Sequence, residues 1–429
     1  MSDLPQKDRD FCKEERRQLS QFIFDSLERL SKDGLGVSRA SYGLGEQKAF
    51  DLIKSVSEEE GLIVSFDGAA NMVVTLPGDV RDEPAIYVGS HLDSVPQGGN
   101  FDGSAGIVAG LLALIKLRRE HSEPPTPVRL ILIRGEESAW FGLCYLGSYS
   151  LFGHLKQSDL DRPHRSTGEP LKDYMSKAGA DIDRICLGEK LIDPALVRAY
   201  VELHIEQGPV MVAREVPVGI VTGLRGNTRY NLVRCIGKAG HSGAVPRWLR
   251  HDAVLASADL LSRMDEHWRV LLERGVDLVL TAGILSTDPK EHAMTRIPGK
   301  CEFSFEFRSQ SMETLEAFDD LLRSEALSVA RERGVNFVFP AKDMTKPAEM
   351  DPKWIEHLSA CCETLDIKFE RLPSGAGHDA AVFAYEGIPS AMIFIRNENG
   401  SHNPNESMDM EDFLNGADVL FEAITKPIQ

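Results

Sequence analysis

The sequence lacks a disulfide framework. Its seven cysteines are an odd number spread over 429 residues, and two of them, Cys361 and Cys362, are adjacent. No CxxC pair is present to build a zinc ribbon. This usage fits a reducing compartment and points to the cytoplasm. Long hydrophobic runs are also missing. The longest, Ile107 to Ile115, is broken by Gly110 and is far too short to span a bilayer. The opening MSDLPQKDRD has no apolar stretch of the kind a secretory signal needs. Basic residues are in deficit, 48 Lys and Arg against 66 Asp and Glu, for a net charge of −18. Nucleic acid is therefore a poor partner, because phosphate binding wants a basic face. There is no internal repeat and no low-complexity segment. No GxSxG elbow supports a serine hydrolase, and no GxGxxG follows the first strand to support a Rossmann dehydrogenase.

What is present describes a folded protein. Hydrophobic residues make up 42% and charged residues 27%, the balance of a globular chain with a sizeable core. The length suits two or three domains. Residues 13–32 and 47–60 read as amphipathic helices. MVVTL (72–76), AIYVGS (85–90), VRLILI (128–133), YVELHI (200–205) and SAMIFI (390–395) read as strands. The stretch 104–120 reads as a deeply buried helix, and another helix closes the chain near 410–425. Continuous apolar strands separated by helices predict an α/β sheet covered on both faces. The middle differs. Segments 229–236, 278–285 and 301–308 read as one-sided strands, the last with Cys301, Phe303, Phe305 and Phe307 on one face. Two long helices, about 249–273 and 311–332, sit among them. This predicts an inserted α+β layer over 217–332, with 1–216 and 333–429 forming the other domain.

Four of the apolar strands run into, or contain, metal-type ligands. Strand 85–90 leads to His91 and Asp93, followed by Asp102 just ahead of the buried helix. Strand 128–133 leads to Glu136 and Glu137. Strand 200–205 carries Glu202 and His204, with Glu206 next. Strand 390–395 leads to His402. In open α/β sheets, ligands bind beyond the carboxyl ends of the strands, so these groups are expected to converge. Each alone is weak: a histidine near a strand end is more often structural, and a Glu pair is more often a solvated turn. The combination is the signal. Three histidines and two acids, with one acid left over, suit two zinc ions, or manganese or cobalt, sharing one carboxylate at about 3.5–4 Å. Asp93, two residues past His91, is placed to orient its imidazole.

The strings GSHLDSVPQGGNFDGSAGIVAGL, GEESAWFG, VELHIEQGP, GAGHDA and GSHNPNE resemble the hydantoinase/carbamoylase amidases. These belong to the co-catalytic zinc aminoacylase and exopeptidase superfamily and include N-carbamoyl-L-amino-acid and allantoate amidohydrolases. The resemblance runs from about residue 13 to the C-terminus. It implies a zinc-exopeptidase-like catalytic domain, a mixed sheet flanked by helices, with the insert as a lid and dimerisation domain. It implies that His91 and His204 bind one metal, Glu137 and His402 the other, and that Asp102 bridges them. Glu136 is then the general base for a metal-bound hydroxide, and Asp93 supports His91. His241, in GHSGAVP, is implied to reach the neighbouring subunit's site as an oxyanion donor. Arg308 is implied to hold a substrate carboxylate, a role suited to a bidentate guanidinium. Gln207 is placed to contact a ureido or amide group, and His378 and Asp379 to line or support the pocket.

The pocket departs from the usual pattern. Where the family often has an Asn before the Pro-Gly of the last lid strand, AMTRIPG offers Thr295, three residues before Pro298. GEESAWFG lacks the Asn that commonly precedes the Glu pair, and GSYSLFG and HSGAVPRW also differ. The reading is thus a metal-dependent amidohydrolase of a linear C–N bond in an N-carbamoyl-L-amino acid or related ureide. Its substrate is a small molecule carrying a carboxylate, its assembly a homodimer or higher even oligomer, and nucleic acid and membrane are not partners. The alternatives are the same fold acting on an N-acyl amino acid, a dipeptide or an aromatic amine, or a catalytically silent binding protein.

Overall fold

The computed structural model describes residues 11–428 except residue 81. The N-terminal segment read as lacking a secretory signal lies outside the described residues. Two compact units are present: Met1–Thr222 with Glu349–Gln429, and Gly223–Ala348.

The first unit is built on a nine-stranded mixed sheet. Its centre is parallel, in the spatial order Ser390–Ile395, Val197–Ile205, Ala85–His91 and Val128–Ile133. These strands are apolar along nearly their whole length and buried on both faces, as parallel strands under helices must be. Antiparallel strands finish the edges: Met72–Thr75 and Ile63–Phe66 on one side, Val218–Leu224 on the other. Helix Ser104–Arg119 packs against the central strands and is buried through its first twelve residues. Its neighbours include the helices Lys13–Ser31 and Met410–Thr425. Among the described residues, no helix is long and apolar enough to cross a membrane. All seven cysteines are free thiols.

The second unit is an antiparallel sheet with strand order Val279–Thr281, Lys300–Ser309, Gly226–Ile236, Asn336–Val338. The alternation read in 301–308 holds: Cys301, Phe303, Phe305 and Phe307 are buried against the helices Ala253–Glu273 and Met312–Arg333. The segment read as one strand over 278–285 is two short strands, Val279–Thr281 and Leu285–Ser286, both paired to Lys300–Ser309.

The insert boundaries differ from 217–332 for a hydrogen-bonding reason. Strand Val218–Leu224 pairs with Ser390–Ile395 and so keeps 217–222 in the first unit. Strands Asn336–Val338 and Asp343–Thr345 pair with Gly226–Ile236, which carries the second unit on to Ala348.

Candidate metal centre

The site forms where the parallel strands end. His91 is the last residue of its strand, and the sheet register sets it opposite Ile133. Two residues further on, the loop after Ile133 turns through Arg134 and Gly135 into Glu136 and Glu137. His204 lies one residue from the end of Val197–Ile205. Asp102 precedes helix Ser104–Arg119, and His402 follows strand Ser390–Ile395 through a loop. All except His402 are buried.

Their donor atoms fall into two groups that share Asp102. Asp102 Oδ1 stands 3.4 Å from His91 Nε2 and 3.2 Å from His204 Nε2, and the two Nε2 atoms are 3.5 Å apart. Asp102 Oδ2 stands 3.5 Å from His402 Nε2, which is 3.3 Å from Glu137 Oε1. Ligands on a tetrahedron with bonds of about 2.0–2.1 Å have edges of about 3.3–3.4 Å, so these spacings suit zinc-sized ions. Glu137 Oε1 is buried and faces His402 Nε2 without a well-formed hydrogen bond among the described residues, as two ligands of one cation would. The residues therefore fit a divalent metal.

The surrounding bonds orient these ligands. His204 Nδ1 lies 2.9 Å from the Ile205 carbonyl, which places its proton there and turns the Nε2 lone pair inward. His91 Nδ1 is held by Asp93, 3.1 Å from its carbonyl and 3.3 Å from Oδ1. Gly103 explains the FDG string. Its φ is +67°, and a Cβ there would meet the His91 ring at 2.6 Å. Its N–H donates to His204 Nε2 at 3.1 Å.

Electrostatics follow from the crowding. Burial raises the Glu136 carboxyl well above the usual range, with Glu137 and Asp379 adding to it against the pull of His91. Its Oε2 is 4.0 Å from His91 Nε2. Burial also raises Glu137. Burial works against ionised Asp102, but the rings of His204, His402 and His91 hold its carboxyl well below the ordinary range.

Gln207 adopts φ +61° and donates its Nε2 hydrogen to Asp102 Oδ2 at 2.7 Å, while its buried Oε1 has no hydrogen-bond partner among the described residues. The His378 ring lies 4.4 Å from that of His204, tilted 58° to it, and its Nε2 pairs with Ser374 Oγ at 3.1 Å. Burial and His204 push its pKa well down. Asp379 is buried, takes a hydrogen bond from Ser148 Oγ at 2.6 Å, and has a carboxyl pushed up to about 8 by burial and Glu202. Glu202, His204 and His378 also cluster, but both Glu202 oxygens already accept bonds, from Ser90 Oγ at 2.8 Å and the Ala380 N–H at 3.0 Å.

Three expected residues lie in the second unit. His241 and Thr295 share a small ribbon, in which His241 pairs with Arg296 and the Ser242 N–H donates to the Thr295 carbonyl at 2.8 Å. Arg308 is on the long strand Lys300–Ser309, with its Nη2 2.9 Å from Glu306. The same Glu306 oxygen accepts from Arg229 Nε at 2.7 Å.

Two supporting residues carry no strand-end mark in the sequence. Glu406 accepts from the Phe101 and Asp102 N–H groups at 2.7 and 3.2 Å and from Ser401 Oγ at 2.6 Å. Ser41 Oγ donates to Asp93 Oδ2 at 2.6 Å. Each is a lone polar residue in a loop, and only its tie to a ligand residue gives it meaning. The spacing of His402 and Glu406, four residues apart, was the available hint.

A sheet whose parallel strands end in two carboxylate-linked histidine groups, carrying a helix-backed insert, defines a metal-site hydrolase of the exopeptidase type. Residues 87–426 match the sequence model of Peptidase family M20/M25/M40, and the chain belongs to that family, in its hydantoinase/carbamoylase amidase branch. It is 34% identical over 390 residues to an N-carbamoyl-L-amino acid amidohydrolase of Geobacillus stearothermophilus, covering 91% of this chain and 93% of that protein. It is 29% identical to the allantoate amidohydrolase of Escherichia coli (strain K12), covering 93% and 96%. The crystal structure of a hydantoinase/carbamoylase family amidase from Burkholderia multivorans superposes with a TM-score of 0.84 at 26% identity, covering 96% of this chain and 97% of that one. The protein is an enzyme, an amidohydrolase.

Proposed function

We propose that the protein hydrolyses the linear C–N bond of an N-carbamoyl-L-amino acid or related ureide at a two-metal centre. The observation that carries this reading is Asp102, whose two oxygens each face a separate pair of ligands. His91 and His204 hold one ion, and Glu137 and His402 the other. Two divalent cations, zinc or else manganese or cobalt, supply Lewis acidity and a water of lowered pKa. Glu136, near the ligands yet in neither group, takes the proton of the attacking water at its carboxylate and delivers it to the leaving nitrogen. The water oxygen bonds to the carbonyl carbon, the C–N bond breaks, and the nitrogen departs protonated. Asp93 keeps His91 oriented throughout.

The buried Oε1 of Gln207, without a partner among the described residues, supports a substrate that offers an N–H, as a ureido group does. Arg308 binds the substrate carboxylate, with Thr295 and His378 as further substrate contacts. His241 donates to the developing oxyanion from a partner subunit, so the active form is a homodimer with the insert as lid and dimerisation domain. Free cysteines throughout suit a cytoplasmic setting. The test is a screen of the metal-loaded protein against N-carbamoyl amino acids, allantoate, ureidopropionate, acyl amino acids and dipeptides, following ammonia and amine release. Turnover confined to dipeptides or acyl amino acids would overturn the ureide reading.

A further inference from the structure

Arg39 is one of the largest fully buried side chains, with 0% exposure. A guanidinium removed from water ordinarily needs a carboxylate partner. Among the described residues Arg39 instead bonds to neutral oxygens. Its Nε donates to the Leu92 carbonyl at 2.5 Å, and Nη1 donates to Asn100 Oδ1 at 3.1 Å and Ser31 Oγ at 3.3 Å. Nη2 reaches the Asn100 carbonyl at 3.5 Å. The Arg39 backbone is tied as well: its N–H donates to Ser94 Oγ at 3.0 Å and its carbonyl accepts from the Ser94 N–H at 2.9 Å.

These partners have a common meaning. Leu92 lies between His91 and Asp93, and Asn100 lies two residues before Asp102. A single rigid fork therefore spans the segment that delivers His91 and the segment that delivers Asp102. Asn100 continues the link to the core, since its Nδ2 donates to the Phe24 carbonyl at 2.9 Å. The charges nearest in effect to the guanidinium are Glu406, Asp93, Asp102 and Glu137, all of the metal centre.

We propose that Arg39 is a positioning residue for the metal centre: its guanidinium fixes the separation of His91 and Asp102, and its buried charge offsets the carboxylates gathered there. This rests on the two-metal reading. A planar fork with fixed donors can set such a spacing, whereas a lysine carries the same charge on a flexible stem with different donor geometry.

The experiment uses cobalt as the probe, titrated into metal-free full-length protein and followed by affinity and by the visible absorption of the bound ion. Arg39→Lys is expected to remain folded by circular dichroism, to bind cobalt about 10- to 100-fold more weakly, and to show an altered visible band. Arg129→Met is the control. Arg129 is also buried but pairs with Asp79 at 2.9 Å, so this variant should lose thermal stability and keep wild-type cobalt binding. If Arg39→Lys does not fold, Asn100→Ala decides, because it removes the shorter, side-chain bond on the Asp102 side of the link and leaves Arg39 in place. Wild-type affinity and spectrum in the folded variant would overturn the proposal. So would an equal loss in Arg129→Met, which would mean general loosening. A wild-type protein that takes up no cobalt would overturn the two-metal reading itself, and the role of Arg39 with it.

Discussion

The Glu136 backbone N–H donates to Asp93 Oδ1 at 3.1 Å. The same oxygen stands 3.3 Å from His91 Nδ1, and Asp93 Oδ2 accepts from the Glu137 N–H at 3.1 Å. One carboxylate thus aligns the His91 ring and the backbone that presents both glutamates. Orientation of His91 alone was the expected role. The structure adds the second strand end, and that predicts different phenotypes for neighbouring acids.

Glu136→Gln is expected to retain both metals and to lose about 10²–10⁴-fold in turnover, since it removes the proton carrier and no ligand. Asp93→Ala is expected to weaken metal binding by about 10- to 100-fold as well as turnover, because it releases ligands on two loops. His91→Ala should reduce metal content. Metal content by elemental analysis and kcat on the best substrate separate the three. Normal turnover by Glu136→Gln would remove Glu136 from the role of base.

Metal binding should release protons. Burial alone would lower the pKa of the three histidines of the candidate site, yet the pKa of His91 is raised well above its ordinary value by Asp102 and Asp93, and that of His204 is raised by Asp102. Asp102 and Glu137 push His402 up to about 11. The metal-free site therefore holds extra protons at neutral pH, and a cation must displace them. The sign is that apparent affinity falls as pH falls, and activity removed by a chelator returns with zinc, manganese or cobalt. Calorimetry in buffers of different ionisation enthalpy measures the release. Uptake without proton release, or full activity in metal-free protein, would contradict this.

Much of the site could be read from the chain because its parts are locally marked. His91, Glu137, His204 and His402 each sit within a residue of the end of an apolar strand or beyond it, and strand ends in such sheets point the same way. Arg39, Ser41 and Glu406 carry no such mark; each is an isolated polar residue whose partners lie tens to hundreds of positions away. The same limit governs the fold. The central strands announce themselves by continuous burial, whereas Phe369–Ser374 contains Glu, Arg and Pro and is a strand because it pairs at the sheet edge with Val218–Leu224. The far end of the second unit is hard to read for the same reason, since Asn336–Val338 and Asp343–Thr345 are short and exposed or half-exposed and are defined by their partner strand.

Arg308→Lys should weaken substrates that carry a carboxylate and spare neutral amide analogues, because a point charge does not replace a planar fork. The structure already shows the arginine engaged by a carboxylate, Glu306, which Arg229 also holds. The readout is kcat/KM for matched acid and amide substrates. An equal loss for both would make Arg308 structural.

The last prediction concerns His241. It sits on a two-stranded ribbon in the second unit, exposed, with its Nδ1 accepting from the Gly243 N–H at 3.1 Å. The proposed base, Glu136, belongs to the first unit. If lid edges pair across a two-fold axis, covering strand edges that would otherwise be open, one subunit's His241 serves the other subunit's metals. Glu136→Gln and His241→Ala proteins should each be inactive alone. Mixed under conditions that allow subunit exchange, they form heterodimers in which one of the two sites has an intact base and an intact His241. Activity should then reappear, approaching a quarter of the wild-type value per total site as exchange becomes random, because about half the dimers are mixed and one site in each is whole. Exchange is checked by native mass or tag pull-down. A mixture that exchanges yet stays inactive shows that His241 does not act in trans, and a wild-type protein that is active as a monomer removes the shared site altogether.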